Sequence, residues 1–146
     1  MTRIQRFDHV GITVADLDDA TAFFVDLGLE VEGTTFVEGA FIDTVIGISD
    51  SRSEIVMLRL PDGGTGLELA RFIRPDHAPG SPDAAANELG LRNVGFEVDD
   101  LDEILDRLAA KGYGLVGGLG EYENTWRMAH VRGPEGIVVS LSQRVG

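Results

Sequence analysis

His9-Val10-Gly11-Ile12-Thr13-Val14 returns 84 residues later as Asn93-Val94-Gly95-Phe96-Glu97-Val98. The match runs on, with Asp16-Leu17-Asp18-Asp19 recurring as Asp100-Leu101-Asp102-Glu103 and Gly28 as Gly112. Over His9–Asp19, six of 11 positions are identical. Self-similarity at a fixed offset marks one supersecondary unit used twice. Residues 5–73 make the first copy and 91–144 the second, within one domain of 146 residues. Between them, residues 74–90 carry Pro75, Pro79 and Pro82 and read as an irregular connector.

Each copy has the same local grammar. Val10, Ile12 and Val14 alternate with His9, Gly11 and Thr13, the period of a strand with one buried apolar face. Val94, Phe96 and Val98 repeat that pattern. Asp16 and Asp100 are N-cap residues, each with an acidic residue three positions on. Leu17, Ala20, Phe24 and Leu27 then follow helical spacing, as do Leu101, Ile104, Leu105 and Leu108. Gly28 and Gly112 suit left-handed helix ends. Strand-like runs follow at 30–37, 41–49, 54–60 and 67–73 in the first copy, the run at 41–49 being an extra strand or long turn. In the second copy they lie at 113–116, 126–132 and 137–142. Pro61-Asp62-Gly63 and Pro134-Glu135-Gly136 each join a final pair of strands.

The expected fold is therefore α+β, two βαβββ modules that form a curved mixed sheet around a central cleft. Strand alternation places His9, Gly11 and Thr13 on the open face, with Asn93, Gly95 and Glu97 as their counterparts. Glu68 interrupts an apolar run at Leu67-Glu68-Leu69, and Ser140 does so at Val139-Ser140-Leu141.

Composition removes several function classes. The chain has 25 Asp plus Glu against 12 Lys plus Arg, a net charge of -13, which repels nucleic acid and anionic membranes. It has no cysteine, so thiolate catalysis, disulfides and cysteine-based metal centres are all excluded. The opening MTRIQRFDHVGITV lacks the apolar core of a signal peptide, and no apolar run approaches 18 residues. The expected location is the cytoplasm.

The stretches FDHVGITVADLDDATAFFVDLGL, GLELARF, LRNVGFEVDDLDEILDRLAAKGY and RGPEGIVVSLSQ resemble the vicinal-oxygen-chelate superfamily. That group includes glyoxalase I, methylmalonyl-CoA epimerase, extradiol dioxygenases and the fosfomycin and bleomycin resistance proteins. The resemblance covers essentially the whole chain and implies the two-module fold and a homodimer. It is poorly specific for reaction, since one fold hosts many chemistries.

Metal-dependent relatives carry ligands on the first and last strand of each module. By position, the resemblance puts His9 first and Glu68 second. The third and fourth positions, commonly His and Glu, fall on Asn93 and Ser140. Catalytic zinc normally has three protein ligands, so the expected cofactor is none or a weakly bound divalent metal at His9 and Glu68. Glu97 and His130 are the acid/base candidates; their structural alternatives are a solvated carboxylate and a strand histidine bonded to a neighbour. The glycine-rich run from Gly117 to Tyr122 leads into Trp126, the only tryptophan, and reads as a loop able to fold over a ligand.

The expected ligand-binding set is thus His9, Thr13, Glu68, Asn93, Glu97, Tyr122, Trp126 and Ser140. The function read from it is binding of a small organic molecule in the cleft, of sequestration or resistance type, without a full metal site. Two alternatives stand beside it. One is a divalent-metal-dependent lyase, isomerase, epimerase or dioxygenase using His9 and Glu68. The other is an interaction protein with a vestigial cleft.

Overall fold

Asp16 and Asp100 start the two long helices in the same way. Each carboxylate accepts the backbone N–H three residues on, Asp19 at 3.0 Å and Glu103 at 3.2 Å. This satisfies donors that have no partner inside the helix. The computed structural model describes residues 2–146. In it α1 spans Leu17–Asp26 and α3 spans Leu101–Ala110. Gly28 (φ +110°) and Gly112 (φ +91°) follow them in the left-handed region that side chains resist.

The chain divides into two compact units, Met1–Pro79 and Gly80–Gly146. The first holds β1 (His9–Thr13), α1, β2 (Glu30–Glu38), α2 (Ala40–Ile46), β3 (Arg52–Leu60) and β4 (Gly63–Arg74). Its sheet has the order β1-β4-β3-β2, with β1 parallel to β4 and the rest antiparallel. The second holds β5 (Val94–Glu97), α3, β6 (Gly120–Tyr122), β7 (Trp126–Arg132) and β8 (Val138–Arg144). Its order is β5-β8-β7-β6, with the same parallel pair at the edge.

The repeat holds at the level of register. Gly11 faces Glu68 across β1 and β4, and Gly95 faces Ser140 across β5 and β8. Glu68 and Ser140 are therefore equivalent positions. Each lies between two buried apolar neighbours, Leu67 and Leu69 or Val139 and Leu141.

One face of each sheet carries the core. In the first unit α1 packs on β3 and β4, burying Leu17, Ala20, Phe23 and Phe24 against Val56, Leu58, Leu67 and Leu69. Phe23 and Phe24 meet edge to face at 5.2 Å. In the second, α3 packs on β7 and β8, with Leu101, Ile104 and Leu108 against Ala129, Val131, Val139 and Leu141. Each of the larger side chains among these contributes about 1.5–3 kcal/mol by leaving water, the alanines less. The α3 start is tied to the sheet by Gln143, whose Oε1 accepts from Leu101 N at 2.9 Å.

Two expectations need correction. The run at 41–49 is no strand: residues 40–46 form helix α2, entered through Gly39 (φ +112°) and left through Gly47 (φ +73°). Its β-branched residues suggest a strand, but Asp43 decides otherwise. The Asp43 carboxylate accepts from Asp50 N, Ser51 N and Ser51 Oγ at 2.5–3.0 Å, anchoring a helical turn to the start of β3. The run at 113–116 contributes only a single bridge, Leu115 to Val131. The fourth strand of that sheet is instead β6, within the segment read as a loop, where glycine obscured the pattern.

Candidate functional site

The faces opposite the helices are partly accessible and mix polar with apolar side chains, Glu68 standing beside Met57 and Ala70 beside Ile55 on the first sheet. On the first sheet His9, Gly11 and Thr13 are all exposed along β1, while Val10 and Ile12 are half-buried on the other side. Glu68, two residues beyond the Gly66 that faces His9, comes up beside the imidazole. His9 Nε2 lies 3.4 Å from Glu68 Oε2, with the two side chains 37% and 29% exposed. A ligand can therefore reach both.

The other imidazole nitrogen is held. His9 Nδ1 lies 2.8 Å from Asp8 Oδ2, and Arg6 Nη2 donates to Asp8 Oδ1 at 2.8 Å. The bond from His9, and then that from Arg6, holds the Asp8 carboxyl below its ordinary range. An ionised carboxylate only accepts, so Nδ1 must be the donor. In the neutral ring Nε2 is then an acceptor facing a second acceptor, Glu68. The gap suits a ligand N–H or O–H, or a cation.

The second sheet carries the other expected residues on the corresponding face. Ser140 stands opposite Gly95 on one side and His130 on the other. Glu97 is exposed, faces Ser142 and borders a shallow depression with Asp99, Gln143 and Arg144. Asn93 is exposed, one residue before β5. Trp126 pairs with Tyr122 across β6 and β7, and the Arg144 guanidinium lies 5.5 Å from its ring. The structure thus brings His9 to Glu68 in the first unit, and His130 to Ser140 and Tyr122 to Trp126 in the second. Thr13 lies on the His9 face, opposite Ala70.

The family model of the Glyoxalase/Bleomycin resistance protein/Dioxygenase superfamily matches residues 6–141. The chain belongs to this superfamily. Among solved structures, a glyoxalase family protein from Bacillus cereus is 39% identical, with 99% of this chain and 97% of that one covered and a TM-score of 0.96. The trypanothione-dependent glyoxalase I of Leishmania major is 19% identical over 94% of this chain and 86% of that one, TM-score 0.65. A fosfomycin resistance protein from Listeria monocytogenes is 15% identical over 99% and 95%, TM-score 0.60. The last two share the fold alone. No curated protein matches the chain at a significant level. No helix among the described residues is long and apolar enough to cross a membrane.

The positions that the resemblance implies for metal ligands are divided between the units, His9 and Glu68 in the first and Asn93 and Ser140 in the second. The positions equivalent by register are Glu68 and Ser140, an ionisable oxygen ligand and a neutral hydroxyl. Among the described residues no three His, Cys, Asp or Glu side chains stand together in a metal-holding group. Within the first unit His9 and Glu68 are two strong donors, where catalytic zinc normally has three protein ligands.

Sequence reasoning missed Asp8 and Arg6. Strand alternation sends the residue before His9 to the opposite face, yet Asp8 precedes β1 and its carboxylate turns back to the ring. The Asp-His dipeptide itself was the available signal.

Proposed function

We propose that this superfamily member binds a small organic molecule on the open face of its first sheet, through polar side chains instead of a complete metal centre. The observation that carries this reading is the His9–Glu68 pair. Its outer nitrogen is braced by Asp8, and its inner nitrogen and carboxylate converge at 3.4 Å on accessible space. Two acceptors so placed recognise an N–H, an O–H or a cationic group, and pre-orientation by Asp8 lowers the ordering cost of binding. Sequestration of a drug-like molecule is the activity that fits binding without chemistry.

Isothermal titration of the intact protein against basic and aromatic natural products tests this. Saturable binding that weakens in Glu68→Gln supports the reading. Uniform failure to bind at high micromolar concentration overturns it.

A metal-dependent enzyme is the second reading, and one observation favours it: histidines that ligate metals commonly donate their other N–H to a carboxylate, as His9 does to Asp8. Elemental analysis of protein purified without chelator separates the two. A full equivalent of divalent metal would replace the first reading with the second. In either case we expect a homodimer, since closed two-fold dimers are the commonest soluble oligomers; light scattering at micromolar concentration checks this.

A further inference from the structure

Arg59 lies where neither the repeat nor any motif points. It is on β3, whose ladder to β4 slips between Leu58 and Leu60. Its guanidinium crosses Gly66 so closely that a Cβ on Gly66 would meet Arg59 Nη2 at 3.1 Å. Gly66 is the register partner of His9. The absent side chain at Gly66 thus lets a cation lie over β4, and adjacent strands are only about 4.8 Å apart. Arg59 and His9 flank the same strand.

The guanidinium is fixed from one side. Nε donates to Glu32 Oε2 at 3.1 Å and Nη1 donates to the Gly64 carbonyl, with the side chain 22% exposed. Guanidinium has five N–H donors. Nη2 makes no hydrogen bond among the described residues. The guanidinium borders a depression of about 510 Å³ lined by Arg6, Phe7, Arg59, Gly64 and Thr65. Arg6 brings a second guanidinium, and its partner Asp8 is the carboxylate that braces His9. Phe7, mostly exposed, offers an apolar wall. Each guanidinium already has one carboxylate partner, Glu32 for Arg59 and Asp8 for Arg6, so what the depression offers a ligand is the N–H groups those pairs leave unused.

We propose that Arg59, assisted by Arg6, anchors the carboxylate of a small organic ligand whose other polar atoms reach His9 and Glu68. This deepens the small-molecule reading above and rests on it. The planar fork of arginine matches a carboxylate edge, and a guanidinium already held on its far side loses little freedom on binding.

The test is a titration of the ¹⁵N-labelled full chain with phenylacetate and, separately, with the neutral phenylacetamide. Phenylacetate should shift the Gly64, Thr65 and Gly66 amide signals saturably, and the amide should bind about tenfold more weakly or worse. Arg59→Gln should abolish that preference. Arg6→Gln should weaken phenylacetate severalfold, and because Arg6 is 80% exposed this variant keeps the fold even where Arg59→Gln does not. Acid and amide that titrate alike, with shifts at His9, overturn the anchor and leave the small-molecule reading standing. Phenylacetate affinity unchanged in both variants overturns the anchor too. Silence from both probes does the same, and the calorimetric panel then decides the parent reading alone.

Discussion

His9 Nε2 meets Glu68 Oε2 at 3.4 Å because β1 and β4 run parallel in a register that sets His9 opposite Gly66. A residue with a side chain at 66 would stand between β1 and the Arg59 guanidinium. The site is thus made by a pairing register as much as by its side chains.

Glu68→Gln removes the charge and keeps the shape. Ligand binding should weaken by about tenfold, the scale of one charge-assisted hydrogen bond. Thermal stability should barely change, since partly exposed ion pairs contribute little. Calorimetry and a melting curve on the same sample check both. A large loss of stability with affinity intact would make the pair structural.

Acid should destabilise the protein through three aspartates. Ser51 holds the Asp43 carboxyl below its ordinary range, His9 and Arg6 do so for Asp8, and Arg127 does so for Asp102. A carboxyl depressed in the folded state stabilises it fully above the unfolded value, about 3.9 for Asp. That contribution fades as pH falls below this value and through the folded one. Urea midpoints between pH 6 and pH 2 should therefore drop. Asp43→Asn should be less stable than the parent at pH 6 and converge with it at the acid end. Parallel curves would remove Asp43 from the account.

Gly136→Ala should be the costliest single-methyl substitution. The backbone there has φ +81°, and an added Cβ would run into the Pro82 carbonyl. That segment is already fastened by Arg132, which donates to the Pro82 and Ala84 carbonyls at 2.9 Å, so it cannot retreat cheaply. A loss of about 2 kcal/mol or more is expected. Gly28→Ala, with φ +110° and open space around it, should cost only the backbone term of about 1 kcal/mol. Chemical denaturation of the two variants should show that order.

Thr21→Val should stabilise the protein. The Thr21 hydroxyl is buried in α1 without a hydrogen-bond partner among the described residues. Valine keeps the branched shape and removes the stranded polar atom, a gain of about 1 kcal/mol. A higher urea midpoint is the expected result.

Much of this was legible from one strand motif. The alternation at Val10, Ile12 and Val14 and its copy at Val94, Phe96 and Val98 rest on nearest-neighbour sterics and burial, which sequence encodes directly. The Asp16 and Asp100 caps are local in the same sense, since each bond spans three residues. The helix at 40–46 was not legible because its decisive bonds join Asp43 to Asp50 and Ser51, beyond the helix itself. β6 was hidden by its glycine-rich lead-in and by a length of three residues.

The sequence by itself determined the two modules, the strands that carry His9, Glu68, Gly95 and Ser140, and the superfamily. Those follow from periodicity and repetition along the chain. Tertiary structure alone decided that Asp8 turns back to hold His9, that Glu68 comes within 3.4 Å of the ring, and that Arg59 lies over Gly66. Each of these depends on the register between strands or on a local departure from strand geometry. A shift of one residue in either ladder would send the side chains to the opposite face.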